Sequence, residues 1–170
     1  MLTLSTERLV MEPLEERHAV PLWSILVDPS LYPFTDDVPP RDLSWLRQRY
    51  QKLSARTSPD GREHWLNWAI RLRDDQFIGY IQATLASAGT AQIAYMLAKA
   101  TWGKGFAREA VGAMLLHLNL EWAVRTVTAQ VDARNVRSIR LLESLGFEGC
   151  PQSPSPAPGS EGDRIYRKIL

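Results

Sequence analysis

Residues Thr101–Leu118 read TWGKGFAREAVGAMLLHL, and two glycines one residue apart stand immediately before an apolar pattern with helical spacing. Helix starts favour Ser, Thr, Asp or Asn, whose side-chain oxygen caps a backbone N–H. Here Gly103-Lys104-Gly105 gives up that oxygen for bare backbone that a ligand can approach closely. Behind it, Ala107, Ala110, Val111, Met114, Leu115, Leu118 and Trp122 mark one face of a long helix, which predicts packing against a sheet. The amides of Gly103, Lys104, Gly105, Phe106 and Ala107 can converge on an anion, with the positive end of the helix dipole behind them. The alternative at this level is a glycine turn that only links strand to helix.

The flanking sequence sets that helix in a sheet. Ala91–Leu97 reads as the strand before it, and Val127, Ala129 and Val131 alternate as the strand after it. A strand-helix-strand crossover over 91–131 predicts a locally parallel pair. From Trp65 the period is two, through Leu66, Trp68, Ile70 and Leu72. RDDQ then turns the chain into Phe77–Leu85, and ASAGT turns it into Ala91, so these strands are expected to be antiparallel neighbours. Leu9–Pro13 is a short strand, EERHAVPLWSILVDP and LSWLRQRYQKLSAR have helical spacing, and LYPFTDDVPP between them is loop; Asp42 or Ser44 starts the second helix. Asn135 caps a shorter helix through Leu145, closed by Gly146-Phe147. Phe147–Cys150 and Arg164–Ile169 are closing strands, joined by a Pro/Ser/Gly-rich segment expected to be a mobile loop over 151–163. The result is an α/β layered domain with a mixed sheet.

Composition narrows the function. At 170 residues, 45% apolar and 23% charged, the chain fits one domain, 1–170, able to bury ~70% of its unfolded surface. A net charge of +1 provides no polybasic field, so neither nucleic acid nor membrane is expected as the main partner. The single cysteine, Cys150, excludes an intrachain disulfide. The residues after Met1 carry acids where a signal peptide needs an apolar core, so a cytoplasmic protein is expected.

GKGFAR fails the dinucleotide fingerprint, because its sixth position is Arg108, and the chain has no GxxxxGK[ST] loop. A second motif, RNVRSIRLLESLGFE, follows the next strand. Together with WGKGFAREA it resembles the paired cofactor motifs of the GCN5-related N-acetyltransferase (GNAT) superfamily, in the branch of ribosomal-protein N-terminal acetyltransferases of the RimJ/RimL type. LSTERLVMEPLEERH resembles that branch's first strand, and AQIAYMLAKATWGKGFA its central strand running into the cofactor loop. The likeness covers nearly the whole chain, in order.

The resemblance implies a single-domain, mostly antiparallel mixed sheet with helices on both faces and a splayed parallel strand pair at the cofactor site. The central strand would carry a bulge. Backbone groups at Tyr95, Met96 and Leu97 would bond the pantetheine arm and acetyl carbonyl of acetyl-CoA. The helix start at Gly103, Lys104, Gly105, Phe106, Ala107 and Arg108 would take the pyrophosphate, and Asn135 matches a cofactor-side asparagine while also reading as a plain helix cap. Both roles make physical sense, since pantetheine is an amide chain that pairs with exposed strand backbone and a diphosphate needs an anion nest.

The implied reaction moves an acetyl group to a primary amine, either a protein N-terminal α-amine or a small molecule, with no metal. The amine must lose a proton and the departing thiolate must gain one or be stabilised. Many family members place a tyrosine acid seven residues after the asparagine; here that position is Leu142. The branch's candidate acid, three residues after the asparagine, is Ser138, which also reads as an ordinary helix serine, with Tyr166 as a fallback. The acidic position often found on the central strand is Gln92, leaving Asp36, Asp37, Glu63, His64 or a water chain as unassigned bases. The aromatic segments LYPF and WLNW line an acceptor cleft or belong to the core. A non-catalytic CoA-binding or regulatory module on the same fold, and an interaction domain without a cofactor, are the other classes the sequence permits; a monomer or a homodimer fits a chain of this size.

Overall fold

The computed structural model of the chain describes residues 1–150 and 162–170. Of the expected 151–163 loop, only Gly162 and Asp163 are therefore described; the remainder lies outside the described residues. The period-two segment forms β3 (His64–Leu72), β4 (Phe77–Ser87) and β5 (Thr90–Leu97), antiparallel in sequence order. With β1 (Leu4–Ser5), β2 (Leu9–Pro13), β6 (Thr126–Asp132), β7 (Glu148–Gly149) and β8 (Asp163–Ile169) they make one sheet in the order β1-β2-β3-β4-β5-β6-β8-β7. The two-residue β1 is too short to carry a periodic signal of its own.

The sheet separates two apolar layers. On one face α3 (Phe106–Trp122) contributes Ala110, Val111, Met114 and Leu118, all fully buried against Trp68, Ile70 and Ile81. Leu142 of α4 (Val136–Ser144) joins that layer. On the other face α1 (Ala19–Leu26) and α2 (Leu43–Leu53) pack Leu22, Leu26, Leu46 and Tyr50 over Ala69. Asp42, not Ser44, caps α2, accepting the Trp45 amide at 2.7 Å. The first turn expected of α1 is a separate 3-10 turn, Glu16–His18, held by a reciprocal Glu15 and His18 capping pair. Asn135 Oδ1 accepts the Ser138 amide at 3.1 Å, and α4 closes as expected: Gly146 takes φ 80°, its amide donates to the Glu143 carbonyl and the Phe147 amide to the Leu142 carbonyl.

The parallel pair is short. β5 and β6 pair at Thr90 with Thr126, Ala91 with Val127 and Gln92 with Thr128, and then separate. From Ile93 to Leu97, β5 stays with β4, while β6 stays with β8 as far as Asp132. The splay is present, but the bulge expected on the central strand is not: β5 keeps an unbroken register against β4 from Gln92 to Leu97. The register shifts fall between Thr84 and Ser87, and where Ile70 and Arg71 of β3 face Gly79 and Phe77 of β4.

Gly79 fixes one side of the opening. Its φ is 149°, and a Cβ built there would lie 2.1 Å from the Met96 carbonyl oxygen and 2.8 Å from Leu97 Cα. The Ala98 amide donates to the Ile78 carbonyl at 2.8 Å, so the end of β5 is drawn hard against β4. Gly79→Ala should lower the urea-derived stability by about 2–4 kcal/mol through backbone overpacking and strain. Gly61→Ala, with φ 72° and nothing within 4 Å, should cost only about 1 kcal/mol. Equal losses would show that the β4–β5 approach is not what constrains Gly79.

A second cluster ties β2 and β3 to the turn before α1. Glu12 accepts from Arg71 Nε at 2.6 Å and from Arg17 at 3.0 Å, and it faces His18 Nε2 at 3.3 Å. The Arg71 hydrogen bond, opposed by burial and aided by His18 and Arg17, holds the Glu12 carboxyl below its ordinary value. Burial likewise lowers His18, against the pull of Glu12. Both depressions have the same sign: on acidification the unfolded chain binds protons that the folded chain refuses. Stability should therefore fall below the ordinary histidine value of 6.5 and again below the ordinary glutamate value of 4.5. Urea midpoints at about pH 7, 5.5 and 4 measure this; His18→Gln should shrink the first fall, leaving the share of His117, which burial also lowers, and a wild-type midpoint unchanged between the two higher pH values would contradict it.

Candidate active site

The opening between β5 and β6 leads into a cleft of about 1080 Å³. Tyr95, Met96 and Leu97 line it from β5, Gly103, Gly105, Phe106, Ala107 and Arg108 from the start of α3, and Asn135 and Ser138 from the start of α4. Every site residue expected from the sequence is thus brought to one cleft except Lys104, which does not line it. Gly103 and Gly105 take φ 76° and 82°, and Gly105 is the cap residue of α3 with no side-chain capping bond. The amides from Gly103 to Arg108 have no protein acceptor among the described residues. They form a concave set of free donors at a helix start, which fits a phosphate. Leu97 is already half engaged, because its carbonyl accepts the Trp102 indole N–H at 2.9 Å.

Lys104 is accounted for by Arg8, a residue that belongs to no motif. Arg8 Nη1 donates to the Lys104 carbonyl at 2.9 Å, its guanidinium carbon lies 4.7 Å from the Phe106 ring centroid, and its Nε donates to Glu109 at 2.6 Å. Glu109 also accepts from the Arg8 amide at 2.9 Å and from the Thr6 hydroxyl at 2.5 Å. Burial pushes the Glu109 carboxyl up, but the bonds from Thr6 and Arg8 outweigh it and hold the group below its ordinary value. Arg8 thus clasps the glycine loop from behind, with Nη2 3.3 Å from where a Gly105 Cβ would stand.

Ser138 sits in the first turn of α4, its amide fixed by Asn135. Its hydroxyl neighbours the Tyr95 phenol, which burial pushes up to about 12 while the nearby Ser138 hydroxyl draws it down. Both hydroxyls are therefore neutral proton donors at the cleft wall. Leu142 lines the same wall and is buried. Tyr166, the fallback acid, is 5% exposed, packs in the core and does not line the cleft. Across the mouth, the Arg137 guanidinium stacks 3.8 Å from the Trp102 ring centroid.

Among the unassigned bases, Asp36 and Asp37 line the cleft. Glu63 instead accepts the Trp65 indole at 2.8 Å, and His64 tilts against Trp122 at 5.2 Å. The two aromatic segments divide. Phe34 of LYPF lines the cleft under Arg134, while Trp68 of WLNW is fully buried core, its indole donating to the Leu2 carbonyl. Burial is thus what separates them. Among the described residues no group of three or more His, Cys, Asp or Glu is placed to hold a metal ion, and no helix is long and apolar enough to cross a membrane.

The chain is similar to known proteins. The family model of the acetyltransferase (GNAT) domain matches residues 8–148. An uncharacterized N-acetyltransferase, p20, of Bacillus licheniformis is 31% identical over 150 residues, covering 87% of this chain and 83% of that protein. The structure of RimL, a ribosomal L7/L12 alpha-N-protein acetyltransferase in complex with coenzyme A, superposes with a TM-score of 0.81 at 17% identity, over 99% of this chain and 98% of that one. Spermidine N-acetyltransferase from Vibrio cholerae, in complex with CoA and spermine, gives 0.78 at 15% identity over 96% of each chain. These two structures share the fold. The domain match across most of the chain, with the p20 relative, makes this protein an N-acetyltransferase of the GNAT family.

Proposed function

We propose that residues 1–170 act as one cytoplasmic N-acetyltransferase domain, monomeric or dimeric, that moves the acetyl group of acetyl-CoA to a primary amine by direct attack in a ternary complex. The observation that carries this reading is the run of free amides from Gly103 to Arg108 opening onto the unpaired edge of β5. A diphosphate suits the first and an extended amide chain the second. Tyr95 offers backbone to the pantetheine arm, Leu97 offers what Trp102 leaves free, Met96 borders the arm with its carbonyl turned toward Gly79 of β4, Asn135 borders the cofactor, and Lys104 contributes through its backbone rather than by facing the cleft.

In this reaction the amine nitrogen attacks the thioester carbonyl carbon, the C–S bond breaks, the sulfur takes a proton and the nitrogen gives one up. An α-amine with a pKa near ~8 is partly neutral at pH 7, whereas a lysine amine near ~10 is mostly charged. An N-terminal or similarly weakly basic amine therefore needs little help from a base, and Asp36 and Asp37 are the carboxylates placed on the cleft to receive its proton. Ser138 is the proton donor to the departing sulfur, held by Asn135 and beside the Tyr95 phenol.

Gly105→Val should weaken acetyl-CoA binding at least tenfold by calorimetry, because a β-branched residue is poorly tolerated at φ 82° and its Cβ meets Arg8. Unaltered affinity in a folded variant would remove the loop from the cofactor site. Arg8→Ala should raise the KM for acetyl-CoA severalfold while kcat at saturation stays within about twofold, the pattern of lost ground-state binding. A kcat loss at constant KM would contradict its role behind the loop. Ser138→Ala should lower kcat by ~10²-fold with little change in acetyl-CoA affinity. A loss under about threefold, with the chemical step rate-limiting, would take the proton-donor role from Ser138.

A further inference from the structure

A second cavity, of about 40 Å³, lies beneath α2 on the face of the sheet opposite α3. Asp37, Tyr80 and Gln82 line both it and the large cleft, so the two spaces meet at these side chains. Asn67 of β3 also lines the cavity; it is 5% exposed and its carboxamide has no hydrogen-bond partner among the described residues. Tyr50 of α2 is 3% exposed, and its hydroxyl is buried without a partner. The side chains of Tyr80 and Gln82 make no hydrogen bond to other described residues either. Leu14, Leu26, Leu46 and Leu53 supply apolar walls around them.

Buried polar groups are almost always paired, so the unpartnered Tyr50 hydroxyl, in a space also lined by Asn67, Tyr80 and Gln82, marks a place where a guest completes its bond. Burial holds the Tyr50 and Tyr80 phenols far above their ordinary value, keeping both as neutral O–H groups. Asp37 and Arg49 both border the cavity and oppose each other in charge, which favours an uncharged guest. A water needs about 10–15 Å³ of such space, so 40 Å³ admits a group of roughly three heavy atoms. Tyr80 stands opposite Met96 in the β4–β5 register, which sets the cavity one residue from Tyr95 and Leu97, whose backbone is proposed to face the cofactor.

We infer that this cavity is a specificity pocket for the acceptor. It takes a small, uncharged, hydrogen-bonding side chain, a hydroxymethyl group, carried on the carbon next to the attacking amine. Phenol and carboxamide groups both donate and accept, so Tyr50, Asn67, Tyr80 and Gln82 can satisfy its hydroxyl as donor and as acceptor. A branched apolar side chain of leucine size overfills the space and leaves the polar groups unpaired. The inference rests on the acetyl-transfer reading above and specifies its acceptor.

Thiol release from acetyl-CoA with serinamide, alaninamide, leucinamide and 1,4-diaminobutane tests it. Serinamide should exceed alaninamide and leucinamide at least tenfold in kcat/KM, and both Tyr50→Phe and Asn67→Ala should compress the serinamide-to-alaninamide ratio below threefold. A wild-type ratio near one, or a ratio untouched by both variants, overturns the pocket. A diamine that outperforms serinamide assigns the space to an ammonium group and overturns the neutral guest. If no amine supports thiol release although acetyl-CoA binds, the transfer reading fails, and calorimetry of serinamide against alaninamide in the CoA-saturated protein then decides the pocket alone. Tighter serinamide binding that Asn67→Ala abolishes sustains it; equal or absent binding overturns it.

Discussion

The structure depends on two strands that stop pairing. β5 and β6 share three residue pairs and then part, each retained by its neighbour on the far side, β4 and β8. A strand edge inside a protein normally closes on another strand, because unpaired backbone donors and acceptors are costly away from water. Here that edge is left for a ligand, and the cost is offset by strong pairing elsewhere. Gly79 makes this feasible by letting β4 run closer to the end of β5 than any side chain allows.

The splay also divides labour between the faces of the sheet. The face carrying α3 and α4 presents the free amides, Ser138 and Tyr95, while the face carrying α1 and α2 presents Asp37, Tyr80 and the small cavity. Donor and acceptor can then approach the same stretch of β5 from opposite sides. Charge follows the same division. Arg108, Arg137 and Arg140 border the α4 side of the cleft, and Asp36 and Asp37 the loop side, so an overall charge near neutrality hides a local dipole across the opening.

Much of this was legible in the sequence because the decisive signals are local. The period of two over Trp65–Leu72, the apolar stripe from Ala107 to Trp122, the caps at Asp42 and Asn135 and the Gly146 closure each act within a few residues. What escaped the reading depends on partners far away in the chain. Arg8 gains its meaning only from Lys104 and Glu109, whose carbonyl and carboxylate it bonds from far away in the chain. Asn67 lies inside an aromatic segment that reads as core, and its neighbour Trp68 is core; the strand's alternation puts the two on opposite faces. The bulge was inherited from resemblance rather than from any residue of β5, and the register places the irregularities on β4 instead.

The clasp at Arg8 also orders events in time. It joins residues separated by 96 and 101 positions, so the loop between Gly103 and Gly105 reaches its final shape only when the N-terminal strand has docked beside α3. Contacts of such long sequence separation form after the loop-closure entropy between them has been met, which puts them late in folding. Local helix formation in α3 cannot by itself complete the anion nest. A nascent or partly folded chain therefore presents the glycine motif without the geometry that makes it useful, and ligand competence becomes a report on global assembly rather than on the motif.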